Sequence, residues 1–206
     1  MAQIPRTATL AIGILTAIAF VVIAAMPGLA AALAFIPARW SGLVELPGAA
    51  PAFLTPFTST LVHSGILHLA FNLLIFVWCG TAVERVLGRV SLILLYLVGA
   101  YTAAIAQWLT DPTGLVPMVG ASGAVSAVVG AFALSFGRAK RVTNNFRLNR
   151  WIHVLWLLAA WVVLQMMMGW MAGGQGYLLA TPAHIGGFLA GLLLQRPLLL
   201  WRYRSA

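Results

Sequence analysis

The chain has 206 residues, 62% of them hydrophobic and only 7% charged, with 12 basic side chains against 3 acidic ones and a net charge of +9. Soluble domains carry roughly a quarter charged residues, and a chain of this length cannot hide so much apolar surface from water. Composition therefore excludes a soluble enzyme, a disordered chain and a basic nucleic-acid module, and leaves an integral membrane protein; the one cysteine, Cys79, permits no internal disulfide.

A spanning helix needs about 20 mostly apolar residues. Six stretches qualify, over 7–26, 59–79, 90–109, 117–136, 151–170 and 182–200. They predict an all-α, six-helix membrane bundle that occupies 1–206 as one domain. The first stretch follows a single base, Arg6, and is longer than a signal peptide's apolar core, so it reads as a retained helix. Residues 28–58 carry Pro37, Pro47, Pro51 and Pro56 with Trp40, Phe53 and Phe57, which suits a segment lying in the membrane interface. Arg85 and Arg89 separate the second and third stretches. Arg138, Lys140, Arg141, Arg147 and Arg150 separate the fourth and fifth, and Arg196, Arg202 and Arg204 close the chain. Only Arg39 falls on the other side, so the positive-inside rule puts both termini in the cytoplasm. The basic connection between stretches four and five reads as an anchor to anionic lipid. Gly173, Gly174 and Gly176, between stretches five and six, suit a mobile cap.

Polar side chains inside membrane helices are costly, so each is a functional hypothesis. His63, His68 and Asn72 fall in the second stretch, Ser122 and Ser126 in the fourth and His184 in the sixth. All three stretches descend from the outer face. An unbroken helix would put Ser122 roughly 8 Å below its start, His184 roughly 3 Å and His68 roughly 14 Å. His68 and Asn72 are four apart and share a face, whereas His63 lies about 140° away. His184, Gly187 and Gly191 form one stripe, and the small residues at 187 and 191 permit close helix packing. Gly120, Gly123, Ala127 and Gly130 make the fourth stretch a suitable neighbour. Thr181 and Pro182 read as a cap and first-turn proline. If the two helices touch, His184 could activate the Ser122 hydroxyl as a dyad. No acid is well placed to make a triad: Glu45 and Asp111 lie in loops and Glu84 at the far end of the second stretch. His68, Asn72 and the Ser122 N–H could donate to a developing oxyanion.

These residues carry a resemblance. His63-Ser-Gly-Ile-Leu-His68-Leu-Ala-Phe-Asn72, Gly120-Ala-Ser122-Gly123 and Ala183-His184-Ile-Gly-Gly187 occur in the order found in the rhomboid family of intramembrane serine proteases. Ala82-Val-Glu84-Arg85 with Gly88 is similar to that family's cytoplasmic end of the second helix. The resemblance implies Ser122 as nucleophile, His184 as general base, and His68 and Asn72 at the oxyanion with His63 and Gly120 beside them. Gly123, Gly187 and Gly191 are left as packing residues. It also implies single-pass membrane proteins as substrates, cut near the membrane surface and often after a small residue. The second and fifth helices would form the side by which substrates enter, with no metal or organic cofactor. In a bacterium the site would face outward from the inner (plasma) membrane. Two positions depart from the pattern. Ser126 stands where an aromatic often packs on the histidine, and Leu54-Thr55 stand where a Trp-Arg pair is expected. What orients His184 is therefore open. The alternatives are a rhomboid-like protein that binds transmembrane helices without cutting them, and a transporter or metal site using His63, His68 and His184.

Overall fold

The computed structural model describes residues 7–26, 28–138, 141–174 and 180–204. Six longer helices build the bundle: α1 (Thr7–Ala25), α5 (Ile66–Leu87), α6 (Arg89–Thr110), α7 (Ser122–Phe136), α8 (Phe146–Gly174) and α9 (Thr181–Arg202). Between α1 and α5 lie the short helices α2 (Leu29–Leu33), α3 (Pro37–Trp40) and α4 (Thr55–Thr58), with 3-10 turns at Ala52–Leu54 and Ser59–Leu61. Among the described residues there is no strand, only an isolated antiparallel bridge between Phe35 and Met118. Among the described residues five helices are long and apolar enough to cross a membrane, and α7 is shorter. Arg6, Lys140 and Gly176 lie outside the described residues.

The helices depart from the apolar stretches for local reasons. α5 starts at residue 66, not 59, because 59–61 form a 3-10 turn and the chain then leaves helical geometry, bending at Ser64 and Gly65. It also continues past 79 through the polar residues Thr81, Glu84 and Arg85. Glu84 is buried there because it accepts the N–H groups of Ala8 at 3.1 Å and Thr9 at 2.9 Å, together with the Thr9 hydroxyl. A carboxylate bonded to the free N–H groups of a helix start is stabilised by charge-assisted hydrogen bonds. α8 runs five residues further back than 151 because Asn145 caps it, accepting the N–H groups of Arg147 at 2.9 Å and Leu148 at 3.2 Å. On α9 the cap is Ala180, with no side-chain bond, and Thr181 is already helical.

α7 sits in the middle, against α5, α6, α8 and α9. Its small residues make this possible: Gly123, Ala124, Ser126, Ala127, Gly130 and Ala131 are all buried. On the facing side, a Cβ at Gly187 would collide with the carbonyl oxygen of Gly123, and one at Gly191 with that of Ala127. The two backbones therefore approach as only glycine allows. At about 1.5 Å per residue, 15 residues rise about 22 Å, short of a hydrocarbon core about 30 Å thick. A helix that short, enclosed on all sides, can leave its first residue below the membrane surface.

Candidate active site

Ser122 is the first residue of α7, not a residue one turn or more inside it. The expected helix over 117–121 is absent because Met118 is held in a bridge, Gly120 bends the chain and Ala121 forms only the turn that leads into α7. Met118 exchanges both bridge hydrogen bonds with Phe35, at 2.7 and 3.1 Å, and the Gly120 N–H donates to Ser59 O at 2.9 Å. Gly120 adopts φ +114°, a conformation that L side chains rarely take. The Ser122 and Gly123 N–H groups lie in the first turn, where the helix offers them no acceptor.

The Ser122 hydroxyl lies 2.7 Å from Nε2 of His184, in the first turn of α9. The other ring nitrogen, Nδ1, lies 2.8 Å from Oε1 of Gln165 on α8. Both His184 and Gln165 are buried. An amide oxygen only accepts, so Nδ1 carries the hydrogen and Nε2 is free to accept from the serine. One turn earlier on α8, Trp161 donates its Nε1–H to the His184 carbonyl at 3.2 Å. The Trp161 ring also stacks on Phe188, with centroids 4.6 Å apart. Thus α8 holds the histidine from behind. Ser126 takes no part in holding it: its hydroxyl donates to the Ser122 carbonyl at 2.7 Å.

Gln165 was not among the sequence candidates. Its signal was present, since a lone amide within 151–170 is as costly in a membrane as the residues that were singled out.

His68 is the third residue of α5, not deep within a longer helix. Ser64 donates its N–H to His68 Nδ1 at 3.5 Å, and its hydroxyl lies 3.1 Å from the same atom. Nδ1 therefore accepts and Nε2 carries the hydrogen. That edge of the ring faces Gly120: a Cβ there would stand 2.7 Å from Nε2 and 3.7 Å from the Ser122 hydroxyl. Close approach and positive φ thus both require glycine at 120.

His63 precedes α5, so its angular offset on a helix does not apply. Its ring meets His68 edge-on at 5.0 Å, and its Nε2 accepts the Ala121 N–H at 3.4 Å. Burial, then the neighbouring His68, lowers the His63 pKa from 6.5 to about 4, against a smaller opposing effect of the Leu61 backbone. Asn72 is buried one turn below His68, and its amide donates to the His68 carbonyl at 2.8 Å. That ties one amide hydrogen to its own helix.

Residues 28–61 pack beside the end of α6 near this site. Thr58 donates to Leu33 O at 2.7 Å, and Arg39 Nη2 to Ala50 O at 2.9 Å. Trp40 meets Phe35 and Trp108 edge-on, and Trp108 donates to the Ser41 hydroxyl at 2.9 Å. A cavity of about 10 Å³, one water-sized sphere, lies against Ser122 between Thr60, Met118 and Ala183. Among the described residues no three His, Cys, Asp or Glu side chains gather as metal ligands would.

A bundle of apolar spanning helices with a half-buried serine hydroxyl hydrogen-bonded to a buried imidazole at one end defines a helical integral membrane protein with a polar site among its helices. The rhomboid domain, as its family model describes it, matches residues 50–201. The chain belongs to the rhomboid family. It is 43% identical over 74 residues to the rhomboid protease GluP of Bacillus subtilis, covering 36% of this chain and 14% of that protein. It is 32% identical over 135 residues to the rhomboid protease GlpG of Haemophilus influenzae, covering 65% of this chain and 64% of that protein. RHOMBOID-like protein 5 of Arabidopsis thaliana is 30% identical over 139 residues, covering 68% of this chain and 42% of that protein. The chain therefore matches less than two thirds of the length of each of these relatives.

Proposed function

We propose that the chain is an intramembrane serine endopeptidase that cleaves single-pass transmembrane proteins, with Ser122 as nucleophile and His184 as general base. The observation that carries this reading is the 2.7 Å separation of the Ser122 hydroxyl and His184 Nε2 inside an apolar bundle. Ser122 attacks the scissile carbonyl while His184 takes its proton, and His184 returns that proton to the leaving amine. A water, deprotonated by the same nitrogen, then releases the acyl group. Gln165 keeps Nδ1–H engaged throughout, so the lone pair at Nε2 stays aimed at the serine.

Charge developing on the substrate oxygen meets the Ser122 N–H, the His68 Nε2–H and the remaining Asn72 amide hydrogen. The small cavity against Ser122 favours a small side chain at the cut. A substrate helix enters between α5 and α8: only 11% of the α8 span is buried, against 44% for α9. It unwinds locally, because a helical carbonyl is already hydrogen-bonded and shielded. The basic residues cluster at the other end of the bundle, which supports a site facing outward.

Ser122→Ala and His184→Ala should each abolish cleavage of a single-pass substrate; unchanged cleavage in either refutes the assignment. A serine-directed probe separates this function from helix binding without cleavage. Labelling at Ser122 supports the protease, and substrate capture without labelling supports the binder.

A further inference from the structure

We propose that the end of the bundle away from Ser122 holds one anionic phospholipid, with its phosphate among Arg141, Arg150 and Arg196 and an acyl chain in the groove between α8 and α9. A cavity of about 620 Å³ lies there between the end of α7, the start of α8 and the end of α9, lined by these three arginines with Asn144 and Asn149. Leu134, on its wall, is 12 residues along α7 from Ser122, about 18 Å of helix, so the site is separate from the serine.

Among the described residues no acidic side chain balances the charge there. The 3 acids of the sequence are Glu45, Glu84 and Asp111. Glu84 is engaged by α1, and the other two lie in connections at the serine end. Among the described residues no side chain pairs with Arg141, Arg150 or Arg196. Arg150 and Arg196 line the same two depressions, so like charges stand side by side there. Guanidinium groups converging on a pocket without a carboxylate suit the oxygens of a phosphate, which they can meet in pairs.

A second depression decides which phosphate compound fits. A groove of about 290 Å³ shares Phe146, Arg150 and Arg196 with the cavity; Arg147 also lines it, and its remaining walls are Trp151, Val154, Leu192, Leu193 and Pro197. A charged pocket continuous with a groove that is basic at one side and apolar along Trp151, Val154, Leu192, Leu193 and Pro197 matches a headgroup joined to an acyl chain. Free phosphate would fill only the first part.

The test uses the full chain in neutral detergent, with phosphatidylglycerol, phosphatidylcholine or inorganic phosphate added, read by native mass spectrometry and thermal melting. One phosphatidylglycerol should be retained and should raise the melting temperature, while phosphatidylcholine does so weakly. In Arg150→Gln/Arg196→Gln the preference for phosphatidylglycerol should fall about thirtyfold, the scale for two basic groups facing an anionic headgroup. Arg85→Gln removes one of the same charges from an exposed position at the same end of the bundle and should change nothing. Three results would overturn the proposal: equal retention of both lipids by the wild type, an equal loss in Arg85→Gln, or displacement of the lipid by millimolar inorganic phosphate. Should the double variant fail to fold, the wild-type melting series decides alone.

Discussion

Replacing Gln165 by leucine tests how His184 is oriented. Leucine keeps the apolar contacts of the buried side chain but removes the oxygen 2.8 Å from Nδ1. The imidazole N–H is then left buried without an acceptor, which costs about 1 to 3 kcal/mol. The ring can escape that cost by turning or by moving its hydrogen to Nε2, and either loses the acceptor for the Ser122 proton. If the cost falls on the transition state, turnover drops by about 5- to 150-fold. The assay is the initial rate of cleavage of a reconstituted single-pass substrate, with Ser122→Ala as the zero. Labelling by a serine-directed probe gives a second rate that does not depend on substrate entry. Gln165→Glu keeps an acceptor oxygen at the same reach and should recover most of the loss. Wild-type rates in Gln165→Leu would refute the reasoning, and so would equal losses in the leucine and glutamate variants, which would point to packing alone.

Three further outcomes follow from the geometry. Gly191→Ala drives a Cβ into the Ala127 carbonyl and should destabilise the bundle by about 1 to 3 kcal/mol, read from its unfolding midpoint in detergent. An unchanged midpoint would mean that α7 and α9 do not approach so closely. Glu84→Gln replaces a carboxylate that accepts from the start of α1 and should cost about 2 to 3 kcal/mol in the same measurement; equal stability would show that α1 is held by apolar packing alone. His63 titrates near 6.5 when unfolded and near 4 when folded, so acidification through that window protonates only the unfolded chain. Stability should therefore fall as pH drops from about 6.5 to about 4, and His63→Gln should flatten the slope. Parallel melting curves for the two proteins would rule out this contribution.

Much of the fold was legible because hydropathy is local. The apolar stretches located the long helices, and the small residues at 123, 187 and 191 pointed to the faces where backbones come close. The helix starts were less legible. Hydropathy does not distinguish a helix from the non-helical segment at 62–65, or from the bridge that Met118 makes with Phe35, 83 residues earlier. α5 also outruns its apolar stretch, because hydropathy falls at Thr81, Glu84 and Arg85, whereas the free N–H groups of α1 that satisfy Glu84 belong to another helix.

The candidate site divides the same way. Ser122, His184 and His68 stand in three recognisable motifs, so their residue types and order were available from the chain alone. Gln165 has no such motif around it, and its role depends on which face α8 turns toward α9. A hydrogen bond between helices is set by their relative rotation and depth, quantities that belong to the packed bundle and to no segment of it. The sequence by itself determined that the chain enters a membrane and carries a serine and a histidine on separate helices. Only the tertiary structure decided that the two meet, and that α8 supplies the acceptor behind them, because contact across helices is fixed by packing rather than by composition.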